Sequence, residues 1–154
     1  MDIQVLQSVS LFDNLDAVQL AHIASITTER LLRKGDVVFR EGDVAGDFYI
    51  VKKGKVRISK VVPGMGEEAL AILPQGAYFG EMELIEGSPP RAAQATAHED
   101  CILQTFTFDD FHTLLSTDKE LAVAILWNFV RTLSNRLRES NDKIIATFAM
   151  AQFQ

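Results

Sequence analysis

Between residues 27 and 107 the chain is a succession of short β-prone runs separated by turns that centre on glycine. Such turns lie around Gly35, Gly42, Gly54 and residues 63–66. The runs between them are TERLL, VVF, FYIVKK, KVRISKVV, EALAIL, AAQATA and CILQTF. Strands this short at such close spacing are typical of a barrel or sandwich rather than of a parallel α/β sheet. The pattern therefore predicts a small all-β core.

Helical patterns flank this β-rich stretch on both sides. Asp16 followed by Gln19 has the spacing of a capping box, which predicts that a short helix begins there. Toward the C-terminus, a short helix around Phe111 precedes a long helix over about residues 118–148. The fold class that we expect is mainly β with flanking helices.

The long helix carries two apolar faces. Leu121, Ile125 and Phe129 recur every four residues on one side. A heptad pattern on another side consists of Val123, Leu126, Val130, Leu133, Leu137 and Ile144. The first face would dock on the barrel, and the second would form a coiled-coil seam with a partner. Extra core packing within one chain is the alternative explanation of the second face.

These patterns predict one structural unit made of two parts. Residues 1–116 form the barrel with its N-terminal helix, and residues 117–154 form the long helix and an apolar tail. The heptad predicts a homodimer through residues 123–148. The tail, which would pack on the partner helix or dock a downstream protein, contains Phe148, Met150 and Phe153.

Composition excludes several classes of protein. The 154 residues, 47% of them hydrophobic and 23% charged, suit one globular domain. A net charge of −6 argues against a general nucleic-acid surface, because phosphate binding needs clustered Lys and Arg. Apolar runs far shorter than the roughly 20 residues of a membrane span, and an N-terminus without a basic segment, predict a cytoplasmic protein off the membrane. The three scattered histidines suggest no metal site.

Residues 78–93 have the make-up of a cradle for an anion. Gly80 allows close approach of the backbone, the residues after it can form one helical turn with free N–H groups, and Arg91 offers a planar fork for two phosphate oxygens. A carboxylate at Glu81 would repel a bare phosphate, but it would accept a hydrogen bond from a sugar hydroxyl. These residues indicate a ligand that carries both groups, and a solvated loop with a surface ion pair is the alternative.

Two stretches resemble the cyclic-nucleotide-binding domain family. Residues 35–56 resemble its glycine-rich hairpin pair, and the later motifs resemble its phosphate-binding cassette, which here consists of Phe79, Gly80, Glu81, Met82, Pro90, Arg91, Ala92 and Ala93. The resemblance covers roughly residues 10–145 and implies a jelly-roll-like β-barrel with a cyclic nucleotide inside. It also implies that Glu81 binds the ribose 2′-hydroxyl and Arg91 the cyclic phosphate, while the backbone at Met82, Glu83 and Ala92 lines the site.

The long helix resembles the dimerisation helix of bacterial catabolite-activator-type (Crp/Fnr-like) regulators. Ser140 and Asn141 fall on the polar pair that caps the purine in those proteins, although a buried polar layer that fixes the register of the seam is the alternative. Arg136 would help to close the site or would be solvated. Relatives that prefer guanine often carry a threonine at the position of Ala92, so the resemblance implies cyclic AMP as ligand, with cyclic GMP less expected.

Glu83 departs from the family pattern, because relatives usually carry Ala, Ser or Gly at this position. A carboxylate that points inward would oppose the charge of the ligand by on the order of 4 kcal/mol at about 4 Å. The pocket would then suit a weaker ligand, a different ligand or none. An outward orientation would leave the site open, and the sequence leaves both orientations possible.

The function that these features predict is that of a cyclic-nucleotide receptor, which signals through its long helix and dimer geometry to a downstream protein. A ligand-free interaction scaffold and a truncated sensor domain of a transcription factor are the alternatives. No nucleophile stands beside a base, so we expect no enzyme and no cofactor. The ending ATFAMAQFQ has no recognition helix and no basic cluster, so we expect no direct DNA binding.

Overall fold

The computed structural model describes residues 3–152. Two four-stranded antiparallel sheets face each other, with strand orders β1-β8-β3-β6 and β2-β7-β4-β5. The strands are β1 Thr27–Leu32, β2 Val37–Phe39, β3 Asp47–Lys53, β4 Val56–Val62, β5 Gly66–Leu73, β6 Tyr78–Phe79, β7 Gln94–Ala97 and β8 Cys101–Thr107. This is the expected jelly-roll barrel.

Within residues 3–152, five α-helices flank the sheets, and a short 3-10 turn follows the first of them at Ser10–Phe12. The helices are α1 Ile3–Gln7, α2 Ala17–Ser25, α3 Met82–Ile85, α4 Phe108–Thr117 and α5 Lys119–Ala151. The predicted capping box starts α2, since Asp16 Oδ1 accepts a 2.8 Å bond from the Gln19 amide and the Asp16 amide donates back to Gln19 Oε1 at 2.9 Å. Asp118 caps α5 by accepting from the Leu121 amide at 3.0 Å.

The apolar core has two parts. One part fills the space between the first sheet and the helices, where Phe48 stacks on Phe106 at 4.7 Å and meets the ring edge of Phe111 at 5.0 Å. The other part fills the interior of the barrel and includes the stacked rings of Tyr49 and Phe79 at 5.2 Å. Because Phe79 belongs to this second part, the segment that follows β6 starts from a fixed position.

Helix α5 docks by the face that the sequence predicts. Leu121, Ile125 and Phe129 are at most 4% exposed. Asn128 on the same side donates two hydrogen bonds, to the carbonyl of Leu11 at 2.8 Å and to that of Asp13 at 2.9 Å. These contacts fix the first half of α5 against the N-terminal segment.

The second apolar face of α5 remains exposed. Its heptad residues are between 39% exposed at Leu133 and 63% exposed at Leu137. The alternative of extra core packing within one chain is therefore wrong. Of the apolar tail, Phe148 and Met150 are exposed, while Phe153 lies outside the described residues.

Some secondary-structure elements are not predicted by the sequence patterns. Strand β6 has only two residues, α1 has only five, and the 3-10 turn has no side-chain cap, so none of them is predicted from the sequence. The division at residue 116 stays a prediction, with α4 ending at Thr117 and α5 beginning at Lys119. Within residues 3–152 no helix combines the length and apolar composition needed to cross a bilayer.

Candidate functional site

A cavity of about 460 Å³ opens between the second sheet, α3 and the middle of α5. This volume lies within the range of small-molecule sites. The sheet side of the cavity is mainly apolar and comprises Phe39, Ile58, Ala71, Leu73 and Phe79. The α5 side is polar and comprises Arg136, Glu139, Ser140 and Lys143. The segment from β6 into α3 supplies the floor, so the cavity offers a flat apolar wall opposite polar groups.

Arg91 is buried at the end of the segment between α3 and β7, where it is 3% exposed. Its Nη1 donates to the carbonyl of Gly80 at 2.9 Å and to Glu83 Oε2 at 3.2 Å. Its Nη2 donates to the carbonyl and to Oδ1 of Asp47. The guanidinium also lies over the Phe39 ring, 4.1 Å from the centroid. The positive charge is thus held rigidly between β3 and α3.

The Nε of Arg91 is a buried donor with no acceptor among the described residues. A buried donor without a partner costs about 1–3 kcal/mol. The guanidinium therefore keeps unused capacity for an anion, although the two Nη groups that were expected to form a fork for phosphate both donate to protein oxygens.

The side chain of Glu83 points inward. It is 6% exposed, and besides its contact with Arg91 it accepts a 3.2 Å hydrogen bond from the Ala92 amide through Oε1. The outward orientation considered from the sequence is therefore wrong. Its pairing with Arg91 means that neither buried charge is isolated, but the carboxylate lies where it would oppose an anionic ligand.

Glu81 joins the floor of the cavity to α5. It is 3% exposed, and its Oε1 accepts a 2.9 Å hydrogen bond from Nη1 of Arg136, whose side chain is 45% exposed. Burial raises the pKa of the Glu81 carboxyl, and Arg136 opposes that rise by stabilising the ionised form. The view of Arg136 as a merely solvated residue is wrong, since this side chain reaches back to the barrel.

Gly80 makes the close packing around Arg91 possible. Its φ is +84°, in the left-handed region that glycine adopts freely. A Cβ atom at this position would lie 3.0 Å from Nη1 of Arg91. Glycine is therefore required here both by backbone conformation and by the approach of the guanidinium.

Most of the expected site residues surround the one cavity. Its lining includes Phe79, Gly80, Glu81, Met82, Glu83, Ala92, Ala93, Arg136 and Ser140. Arg91 is buried and reaches the same floor through Glu83 and Gly80. Pro90 and Asn141 are exposed and do not line the cavity in the described chain.

Several residues of the site were not predicted from the sequence. Asp47, which holds Arg91, lies within the hairpin stretch but carries no signal of its own. Glu139 and Lys143 follow Arg136 by three and by seven residues, a spacing that keeps both on the same side of α5 as Arg136. The apolar wall, from Phe39 to Leu73, requires knowledge of which strand faces point inward.

Comparisons with known proteins agree with this arrangement. Residues 29–118 match the cyclic nucleotide-binding domain. The chain is 33% identical over 131 residues to the cyclic AMP receptor protein of Thermus thermophilus, and the matched segment covers 85% of this chain and 58% of that protein. It is 31% identical over 117 residues to human cGMP-dependent protein kinase 2, and this matched segment covers 75% of this chain and 15% of the kinase. The chain thus spans 58% or less of either relative.

A solved structure matches over nearly its whole length. The crystal structure of the N-terminal domain of a transcriptional regulator from Streptomyces coelicolor is 33% identical, with a TM-score of 0.75. The match covers 90% of this chain and 95% of that domain. Both the sequence match and the shared jelly-roll architecture lead to one conclusion: this chain belongs to the cyclic nucleotide-binding domain family.

Proposed function

We propose that this chain is a cyclic-AMP receptor that binds its ligand in the cavity between the second sheet and α5. The observation that carries the proposal is a pair of opposite charges at the cavity floor: Glu81 lines the floor, and Arg91 is packed directly behind it. The buried carboxylate of Glu81 and the buried guanidinium of Arg91 flank Gly80. Only a ligand with both a hydroxyl donor and an anionic group would use both.

Each part of the ligand has a complementary surface. The ribose hydroxyl would donate to Glu81, and the cyclic phosphate would accept from Arg91 and from the Ala92 amide. The purine would lie against the apolar wall, with its polar edge toward Ser140 on α5. The Nε of Arg91 supports this assignment, because no atom of the described residues accepts its hydrogen bond and a phosphate oxygen would supply the missing acceptor.

The signal would leave the cavity through Arg136. In this structure Arg136 and Glu81 are bonded at 2.9 Å. A ribose hydroxyl that donates to Glu81 would change the hydrogen bond between Glu81 and Arg136. Because Arg136 belongs to α5, that change would alter the position of the helix. Binding would then favour one of two arrangements of α5 by its differential affinity for them.

The partner of the exposed α5 face would be a second copy of this chain. The heptad from Val123 to Ile144 supplies an apolar seam, which a soluble monomer rarely exposes. Ser140 occupies the d position of this heptad and also lines the cavity. Cavity and seam therefore meet at one residue, which supports ligand-dependent dimer geometry, and a downstream protein would respond to that geometry.

Cyclic AMP is preferred over cyclic GMP on the basis of Ala92, whose side chain has no hydroxyl to donate to a guanine. The relatives named above include a cyclic AMP receptor protein and a cGMP-dependent protein kinase, so the preference for cyclic AMP rests on Ala92. The same proposal places the protein in the cytoplasm, in keeping with an acidic chain whose single cysteine, Cys101, is a buried free thiol.

A ligand-free scaffold is a second candidate, and the Glu83 contact favours it. A side-chain carboxylate already neutralises Arg91, so the barrel has no need of an external anion for its stability. In this case α5 would pair with its partner whether or not a nucleotide is present.

Thermal unfolding with added ligand separates the two candidates. The arms are cyclic AMP, cyclic GMP and linear 5′-AMP at millimolar concentration, applied to the wild type, Arg91→Lys and the exposed control Arg138→Lys. The receptor predicts that cyclic AMP stabilises the wild type and the control, by about 2.7 kcal/mol at a hundredfold excess over Kd, and stabilises Arg91→Lys much less. No stabilisation by either cyclic nucleotide would reject the receptor in favour of the scaffold.

A further inference from the structure

The carboxylate of Glu83 occupies the two donors that the proposed function assigns to phosphate. One oxygen, Oε2, lies 3.2 Å from Nη1 of Arg91. The other, Oε1, lies 3.2 Å from the amide nitrogen of Ala92. A carboxylate and a phosphate monoanion both present a pair of oxygens that share one negative charge. The side chain thus offers these donors the same chemistry as the ligand.

The contact is built into the fold rather than formed on the surface. Glu83 and Arg91 are 6% and 3% exposed. The backbone carbonyl of Glu83 accepts a 2.6 Å bond from the Ser88 amide, and the next residue, Leu84, belongs to the apolar core. The backbone of α3 therefore aims this carboxylate at Arg91.

Asp47 keeps Arg91 in place independently of Glu83. Its carbonyl and Oδ1 both accept from Nη2, whereas Glu83 accepts from Nη1. The buried positive charge therefore retains a carboxylate partner if the Glu83 side chain leaves. Removal of Glu83 from the site would be feasible without leaving Arg91 as an isolated buried charge.

We propose that Glu83 is an internal competitor for the anion position and that its displacement sets the nucleotide affinity of this receptor. The inference rests on the proposed function, because it concerns the same site. Ligand and side chain cannot use Nη1 of Arg91 and the Ala92 amide at once. If the carboxylate occupies the position for about nine-tenths of the time, the apparent affinity falls about tenfold relative to an open site.

Competition of this kind also selects among ligands. A bare anion that displaces Glu83 gains hydrogen bonds only from the two donors that Glu83 held. The anion loses translational freedom on binding, whereas the tethered Glu83 side chain does not. A cyclic nucleotide gains in addition the Glu81 carboxylate and the apolar wall. Glu83 would therefore exclude inorganic phosphate while it admits the nucleotide, at reduced affinity.

The test compares Glu83→Ala and Glu83→Gln with the wild type and with Glu86→Ala, an exposed glutamate at the end of α3 that serves as the matched control. Cyclic AMP is titrated calorimetrically, and inorganic phosphate is titrated while the Ala92 amide is followed by NMR. Circular dichroism checks the fold of each variant, and Glu83→Gln serves if the alanine variant does not fold. We expect Kd for cyclic AMP to fall by about tenfold in Glu83→Ala and by less in Glu83→Gln, with Glu86→Ala like the wild type.

The outcomes separate this inference from the proposed function. Tighter cyclic-AMP binding by Glu83→Ala supports both. Unchanged or weaker binding by a folded Glu83→Ala, beside a wild type that binds, overturns the role of Glu83 and leaves the receptor intact. If no protein binds cyclic AMP but phosphate shifts the Ala92 amide in Glu83→Ala alone, Glu83 competes for the anion position, but the receptor and the effect of Glu83 on nucleotide affinity are both overturned. Absence of both responses in folded Glu83 variants overturns both.

Discussion

Nη1 of Arg136 on α5 donates a 2.9 Å hydrogen bond to Oε1 of Glu81, a carboxylate that is only 3% exposed at the floor of the cavity. The two residues are 55 positions apart in the chain. Their contact links the segment after β6 to a helix that also carries the exposed heptad face. A direct hydrogen bond therefore joins this buried carboxylate to α5.

Loss of Arg136 should change the titration of Glu81. In Arg136→Gln the Glu81 pKa should rise further, because the guanidinium lowers it in the wild type. The free energy of unfolding should fall by about 1 kcal/mol, less than for a fully buried ionic hydrogen bond since Arg136 is 45% exposed. Carbon-13 NMR of the Glu81 carboxyl and urea unfolding measure the two effects. An unchanged titration in Arg136→Gln, matching the exposed control Arg138→Gln, would refute the link.

Burial of Glu81 should make stability depend on pH in a defined direction. Its folded pKa lies above the ordinary value of 4.5, so the folded state holds its proton more tightly than the unfolded chain does. This contribution to stability is complete below pH 4.5 and is lost as pH rises through the folded pKa. Glu81→Gln should therefore gain stability relative to the wild type as pH rises from about 4 to 8. Urea unfolding across this range checks the trend, and a gain that is flat with pH, as expected for exposed Glu86→Gln, would count against it.

Gly80 should tolerate a side chain less well than another glycine with the same backbone. Gly80 and Gly42 have φ values of +84° and +87°, but an added Cβ meets Arg91 Nη1 at 3.0 Å in the first case and nothing within 4 Å in the second. Gly42→Ala should cost about 1–2 kcal/mol from backbone strain alone. Gly80→Ala should cost more and should also weaken cyclic-AMP binding. Equal unfolding free energies for the two variants would show that the approach of Arg91 is not restrictive.

Charge on the exposed α5 face should break the homodimer. Leu137 is 63% exposed at an a position of the heptad. Leu137→Asp should convert a dimer to a monomer in analytical ultracentrifugation without lowering helix content. Asn135→Asp adds the same charge at the f position on the far side of the helix and should leave the dimer intact. A monomeric wild type, or equal association of the two variants, would show that a second copy of this chain does not bind the exposed α5 face.

The sequence predicts those parts of the fold that depend on local signals. The Asp16 capping box, the buried stripe from Leu121 to Phe129 and the glycine-separated strands all follow from spacing within a few residues, and the structure confirms them. Strand β6 was missed because two residues carry no periodicity, and its position depends on pairing with β3. Local patterns thus predict elements better than they predict which elements are brought together.

The candidate site shows the same limit. Most of the residues that the motif around Glu81 and Arg91 predicts for the site line one cavity, but the orientation of Glu83 could not be predicted. Its inward direction depends on the backbone path of α3 and on the amide of Ala92 nine residues later. Asp47 likewise acts on Arg91 across 44 positions of chain. Such contacts arise from tertiary packing and leave no trace in residue spacing.

The most direct test of the account is a crystal structure determined with cyclic AMP. We predict electron density for the nucleotide in the cavity, with the ribose hydroxyl on Glu81 and the phosphate on Arg91 and the Ala92 amide. The Glu83 side chain should have moved away from Arg91. A cavity without nucleotide and with the Glu83–Arg91 pair intact at saturating cyclic AMP, or a nucleotide bound elsewhere on the chain, would contradict the central claim.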